Sequence, residues 1–368
     1  MDMIRQYTRK VQKIGPSSLA VALPLEWARE MSVGSSCHVL IDWMGDGTLS
    51  ISTKVSELES RSSNCMLIVN RFSNPTHIYR SIVALYLRGV DQIILVSPDS
   101  MSEEFLSILS AEVRRLNGVD IIYKTPKKVI IQCFLDQTKY LFTSLEKRLY
   151  HASDESLEQA IASLERDKES QKKVLMLNDE VDRLYWLALR QLLFYAERRD
   201  VAIKAGMSAR HVVDARLAIK IFEKIGDYSK DISMNMLILS TAPRNYLLER
   251  LLELAKSIRM TFNKAADAYF AGDVDLANKA AEESTLLESE LLRVSSPREV
   301  VGMTSADEMG EDGIRSLLAV YRIMDDLIHV ARSCEPLGEV TMNQYYDHCN
   351  RCETSLSLPS HLEQEVKQ

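Results

Sequence analysis

The sequence predicts a multidomain chain: a small ββαββ unit, then a small α/β domain, then an all-α region of tandem three-helix bundles. Three observations carry this reading. Short alternating stretches punctuated by Gly, Pro and Asp fill the first segment. Strand-length and helix-length apolar runs then alternate, as a layered α/β domain requires. Beyond residue 136 apolar residues recur at spacings of three and four almost without a break. The predicted segments are 3–55, 64–135, 136–240, 244–335 and a tail at 336–368.

In the first segment Tyr7–Ile14 and Ser18–Leu23 read as strands around the turn-rich Gly15-Pro16-Ser17. Leu19, Val21 and Leu23 alternate with Ala20 and Ala22, so one face is bulky and the other small. Pro24 suits the first turn of a short helix over Leu25–Met31, and Gly34 follows as its stop. Cys37, Val39, Ile41 and Trp43 alternate along a third strand, and Asp46-Gly47 is a hairpin turn before Leu49–Ile51. So small a unit has difficulty burying a core alone. Its strands gain most by interleaving with those of a second copy. Arg5, Arg9, Lys10 and Lys13 gather positive charge near the first strand, against Asp2. Such a patch fits contact with phosphates, or equally the charged protection of a solvated strand edge.

The second segment reads as βαβαββ. Its elements are Cys65–Val69, a helix over Pro75–Arg88, Gln92–Val96, a helix over Glu103–Leu116, then Ile121–Lys124 and Val129–Cys133 across Pro126. Leu87-Arg88-Gly89-Val90-Asp91 is echoed by Leu116-Asn117-Gly118-Val119-Asp120, with Gly as a helix stop before a strand each time. No Gly-rich phosphate loop and no nucleophile–base set is present, so the domain reads as a spacer or packing module.

In the third segment Val174, Leu177, Val181, Leu184, Ala188 and Leu192 form one helical stripe. Val212, Ala215, Ile219, Phe222, Gly226, Ser229, Ser233 and Met236 form another. Pro243 marks a break, Ser295–Gly313 is a loop, and Ile314–Ser333 is the last strong helix. Arg166-Asp167-Lys168-Glu169 is echoed by Gly272-Asp273-Val274-Asp275. In that register Asn178 falls on Ser284 and Asp182 on Glu288, while Phe222–Asp227 lines up with Val320–Asp325. Two tandem three-helix units follow from this.

Composition narrows the class. Of 368 residues, 46% are hydrophobic and 26% charged, which is ordinary for a globular protein. The formal net charge of −7 disfavours non-specific binding to nucleic acid or anionic membranes, though a local basic patch stays compatible. No apolar run reaches the length of a membrane span and the start lacks a signal-peptide core, so the expected location is cytoplasmic, without membrane insertion. The six cysteines are scattered. His348 and the single Cys349-Asn-Arg-Cys352 are a weak zinc or redox signal.

Chemistry is concentrated in two helical stretches. Asn178/Asp182 and Glu223/Asp227 each place oxygen donors four residues apart, on one helix face. Two such helices packed together gather oxygen ligands around a hard cation. The competing reading is a wet face on which these acids pair with Arg216, Lys220, Lys224 and Lys230. Seven histidines without ligand spacing, and no nucleophile motif, point away from an enzyme.

Two resemblances sharpen the picture. Arg9–Gly15, Ser18–Pro24 and Trp27-Ala28 resemble the AbrB-type swapped-hairpin DNA-binding domain. This implies a homodimer through the N-terminal domain, with Arg5, Arg9, Lys10 and Lys13 touching DNA. Asn178–Leu192 and Leu217–Ile232, with weaker Ala319–Ala331, resemble the PhoU family of phosphate-uptake regulators, over roughly 136–335. That resemblance implies paired acids that bind metal. Here Asn178 stands where an acid is expected, and the second unit has Ser284/Glu288 and Tyr321/Asp325, so one site is expected rather than two. Asn178, Asp182, Glu223 and Asp227 are the expected ligands of a divalent or ferric ion: Mg, Mn or Fe, with Zn less suited to oxygen donors.

The expected function is a cytoplasmic, dimeric, DNA-binding regulator of phosphate uptake and homeostasis. The alternative is an adaptor that docks on a phosphate transporter or sensor kinase without binding DNA. A metal-dependent hydrolase is the third reading.

Overall fold

The computed structural model describes residues 6–43, 47–53, 64–70, 73–165, 167–239, 246–294 and 311–348. Arg5, Asp46, Cys349 and Cys352 lie outside these, as does most of the predicted 295–313 loop. The chain divides into two compact units, Met1–Ser62 and Ser63–Gln368.

The first unit keeps the predicted ββαββ order. Strand β1 (Gln12–Ile14) pairs antiparallel with β2 (Ser18–Ala20), with Lys13 opposite Leu19. Helix α1 spans Leu25–Glu30, and β3 (Leu40–Trp43) pairs antiparallel with β4 (Leu49–Ser52). Tyr7–Val11, expected as part of the first strand, pairs with nothing in the ladder. These are two separate two-stranded ladders, too few strands to enclose a core. None of the described residues of this unit is buried, and Leu19, Leu49 and Trp43 are 73%, 64% and 84% exposed.

The second unit opens with the predicted βαβαββ layer. Its elements are β5 (Asn64–Ile68), α2 (Pro75–Leu87), β6 (Gln92–Val96), α3 (Glu103–Val113), β7 (Val119–Lys124) and β8 (Lys128–Cys133). The sheet order is β5-β6-β8-β7, with β5 parallel to β6 and the rest antiparallel. Asn74 caps α2 by accepting from the Thr76 amide, and Ser102 caps α3 by accepting from the Phe105 amide. The echoed glycines do what their spacing predicts. Gly89 (φ 85°) and Gly118 (φ 68°) take the left-handed turn between helix and strand. Ile82, Tyr86, Leu95, Leu109, Val129 and Ile131 form the core of this layer.

The helical part follows: α4 (Phe142–Leu164), α5 (Lys168–Glu197), the short α6 (Arg199–Lys204) and α7 (Ala209–Ile238). Then come α8 (Tyr246–Ala271), α9 (Val274–Val294), α10 (Glu311–Arg332) and α11 (Cys334–His348). Helices α4, α5 and α7 pack as one set and α8, α9 and α10 as another, joined where α4 meets α8 and α7 meets α10. The repeat register is visible in the caps: Asp167 accepts from the Glu169 amide at the start of α5, and Asp273 from the Leu276 amide at the start of α9.

One boundary needs correcting. The sequence predicts a tail from 336, since hydrophobic periodicity fades after Pro336. Instead α11 runs to His348, buries Cys334, Leu337, Val340 and Thr341, and packs on α8, α9 and α7. Pro336 is the third residue of this helix, in the first turn, where a missing N–H breaks no intrahelical bond.

The α/β layer is seated on α5 through polar groups. Arg190 is 1% exposed, donates to the Tyr86 carbonyl at the end of α2, and lies 4.6 Å over the Tyr86 ring. Asn117 Nδ2 donates to the Arg183 carbonyl (3.1 Å), and Gln137 and Gln191 tie the linker to the same helix.

Candidate metal centre

Helix α5 carries Asn178 and Asp182, and α7 carries Glu223 and Asp227, each pair one turn apart. The packing of the two helices brings the pairs together: carboxylate oxygens of Asp182, Glu223 and Asp227 all lie within 4.8 Å of one another. Gly226 makes this approach possible. A Cβ built there would stand 2.8 Å from Val181 Cγ1, inside van der Waals contact. Val181 and Gly226 are the chain neighbours of Asp182 and Asp227, so this close contact of the helices sits beside the acids.

Asn178 lies one helical turn before Asp182 on α5. It is 3% exposed, and its Oδ1 has no hydrogen-bond partner. A buried orphan carbonyl costs ~1–3 kcal/mol, which coordination to a cation would recover. Three carboxylates and one amide oxygen, with no imidazole or thiolate, fit a hard cation such as Mg, Mn or Fe.

The acids are countered by lysines one turn away on α7 and by an arginine. Lys220 Nζ lies 2.6 Å from Glu223 Oε2, and Lys224 Nζ lies 2.7 Å from Asp227 Oδ2 and 4.0 Å from Glu223. A third cation comes from the turn after α3 of the α/β layer: Arg115 lies 3.3 Å from Asp179 and 4.0 Å from Asp182, and also pairs with Glu112 (3.3 Å). Burial, then the Asp227 carboxylate, raise the proton affinity of Asp182; Arg115 opposes this and Glu223 adds to it. Protons, two lysines and an arginine thus compete for one set of oxygens.

The second helical unit is different. Ser284 Oγ donates to its own helix at Ala281 O (2.8 Å), and Glu288 is held by Arg332 at 2.6 and 2.9 Å. Asp325 is open to solvent beside His329 (3.7 Å). Among the described residues only Asp182, Glu223 and Asp227 form a group of three or more His, Cys, Asp or Glu able to share an ion.

The basic residues of the first unit lie apart from this chemistry in sequence. Arg9, Lys10 and Lys13 are exposed, and Lys13 is in β1. Arg9 reaches the Thr8 carbonyl at 3.4 Å and stands 5.6 Å over the Tyr7 ring, whose hydroxyl donates to Glu26. Arg115 carries no signal toward this site in the sequence, because it lies in the α/β layer, far along the chain from the paired acids. The Arg114-Arg115 doublet at a helix end is visible, but nothing local says that it reaches carboxylates 64 residues away.

Among the described residues no helix is long and apolar enough to cross a membrane. Comparison with curated proteins gives no match. Among solved structures the chain is similar to the crystal structure of PhoU from Pseudomonas aeruginosa, at 17% identity and a TM-score of 0.48, over 56% of this chain and 96% of that one. Residues 147–236, which hold all four expected oxygen ligands, match the family model of the PhoU domain.

Proposed function

We propose that this protein is a dimeric, DNA-binding regulator of phosphate uptake and homeostasis, with a cation held by Asn178, Asp182, Glu223 and Asp227. The PhoU-domain match supports the phosphate reading. The observation that carries the rest is the first unit itself. It exposes Tyr7, Val11, Ile14, Leu19, Ile41 and Trp43 with no buried residue among those described, beside the exposed cations Arg9, Lys10 and Lys13. Apolar surface of that extent on two short ladders is stabilised by a second copy. A two-fold pair then doubles the set of exposed cations Arg9, Lys10 and Lys13, with Arg5 near them in sequence, which suits phosphates of a DNA backbone.

The cation site reports the state of the helical region. Metal held between α5 and α7 displaces Lys224 and relieves the repulsion among three acids, which stiffens the PhoU domain.

The test is light scattering of the full chain together with a mobility-shift assay on DNA upstream of phosphate-transport genes, over a salt series. A dimer whose affinity falls steeply with salt is expected. Replacing Arg9, Lys10 and Lys13 by Ala removes up to six cations from a dimer, and should flatten the log–log salt slope by ~3–5. A folded dimer that binds no DNA at low salt would leave the adaptor reading instead.

A further inference from the structure

A cavity of about 550 Å³ lies where the α/β layer meets α5. Its walls include Tyr79, Arg80 and Leu87 of α2, Glu112 of α3 and Arg115 just beyond it, and Trp186 of α5. Neither layer makes it alone. The chemistry is specific: a largely apolar lining that carries two aromatic rings, two guanidinium groups and one carboxylate. Arg80 is exposed and, among the described residues, pairs with no acid. The Tyr79 hydroxyl is held protonated, pushed up to about 12 by burial and by Glu112, so it is a donor at any working pH.

We infer that this cavity binds a small organic anion with a flat ring, of the mononucleotide class, and that the ligand competes with Asp179 and Asp182 for Arg115. The ring fits between aromatic walls, whose π faces accept bases irrespective of identity. The phosphate fits Arg80 and Arg115, because a guanidinium matches phosphate in a two-point geometry. Glu112 accepts from a ribose hydroxyl or an exocyclic amine. The volume is in the range of small-molecule sites.

The consequence lies in Arg115. In this structure it spans Glu112 on the cavity wall and Asp179 and Asp182 on α5. An anion that recruits Arg115 takes one counter-charge from Asp182, the acid nearest the α/β layer in the metal set. By linkage, ligand in the cavity and cation at the acids favour each other. The α/β layer is then a sensor rather than a spacer. The cavity proposal does not depend on the DNA or phosphate-uptake reading.

The test uses the full chain stripped with chelator and no DNA, so its failure is separate from failure of that reading. Adenosine 5′-monophosphate is the probe, followed by calorimetry and by Trp fluorescence, with inorganic phosphate and adenosine as controls. Saturable binding with quenching of Trp186 is expected, much tighter than for either control. Arg80→Ala should weaken it ~10–100-fold, the loss of one charged hydrogen bond. Asp179→Asn, on an exposed residue, should tighten it several-fold by releasing Arg115. Trp186→Phe, checked for folding by circular dichroism, should lose the fluorescence signal. The proposal is overturned by absence of calorimetric binding, by unchanged affinity in Arg80→Ala, by phosphate binding as tightly as the nucleotide, or by quenching that survives Trp186→Phe.

Discussion

The two helical units are built on one plan, and they differ where chemistry is concentrated. The caps Asp167 and Asp273 set an offset of 106 residues for the first two helices of each unit. Under it Val181 corresponds to Leu287, Asp182 to Glu288, and Glu146 to Leu252. On the third helix Gly226 corresponds to Met324 and Asp227 to Asp325. A Val–Gly contact lets α5 and α7 close until their acids cluster, whereas Leu287 and the buried Met324 fill the same place in the second unit. Glu288 is taken by Arg332 and Asp325 faces solvent. Ligand-type residues at the right helical positions therefore do not make a site; the small residues beside them set whether the helices approach closely enough.

The largest expected effect tests the break in symmetry at Glu146. Its carboxyl is 4% exposed and accepts from the Tyr269 hydroxyl (2.6 Å) across the α4–α8 seam, where the other unit has Leu252. Burial pushes it up to about 8 from an ordinary 4.5, with Tyr269 and Lys147 opposing. The folded state keeps this proton between those pH values and the unfolded state loses it. Stability is therefore fully present below pH 4.5 and is lost as pH rises through about 8. The slope contributed is up to ~1.4 kcal/mol per pH unit. Chemical denaturation of Glu146→Gln should show that slope removed, and the variant more stable than the parent above pH 8. An unchanged pH profile would show that Glu146 is ionised in the fold.

Transplanting the second unit's spacer into the first tests the contact itself. Gly226→Met should destabilise by ~1–3 kcal/mol through overpacking against Val181. It should also abolish cation binding by spreading α5 from α7. Gly226→Ser gives a milder wedge that stays folded. Cation affinity measured by calorimetry should fall in order from Gly to Ser to Met, and equal affinity in all three would detach the site from the close approach.

Within the acids themselves, Asp227→Asn should weaken Mn²⁺ binding ~10–100-fold, the cost of one charged ligand interaction. Asp325→Asn in the matching place should change nothing. Asn178→Leu, which removes the orphan oxygen, should weaken Mn²⁺ binding while raising the stability of the metal-free protein. If Asp325→Asn and Asp227→Asn behave alike, the two units are equivalent and the comparison fails.

Much of this architecture is legible in the sequence because it depends on local rules. The echoed Gly89 and Gly118, the capping Asp167 and the three-four stripes of α5 and α7 need no knowledge of distant partners. Spacing alone also puts Asn178 over Asp182 and Glu223 over Asp227. What escapes sequence reasoning is partner choice. Arg115, in a turn, and Arg190, in a helix, are unremarked in the sequence until the α/β layer lands on α5. The helix α11 was hidden because Pro336 looks like a terminator unless its first-turn position is known. Glu146 did carry a signal: it falls between Phe142, Leu145 and Leu149 on an apolar stripe, where an acid is out of place.

The smallest expected effect concerns Arg332. It holds Glu288 at 2.6 Å, but the arginine side chain is half exposed, so the pair contributes little. Arg332→Ala should cost less than ~1 kcal/mol. The informative readout is metal. If the ion pair is what silences the second unit, freeing Glu288 should create a second Mn²⁺ site. If spacing silences it, as Met324 and Leu287 imply, stoichiometry stays at one per chain in Arg332→Ala. On that view a second ion enters only when Met324→Gly is added, because only then can α9 and α10 bring Glu288 and Asp325 together.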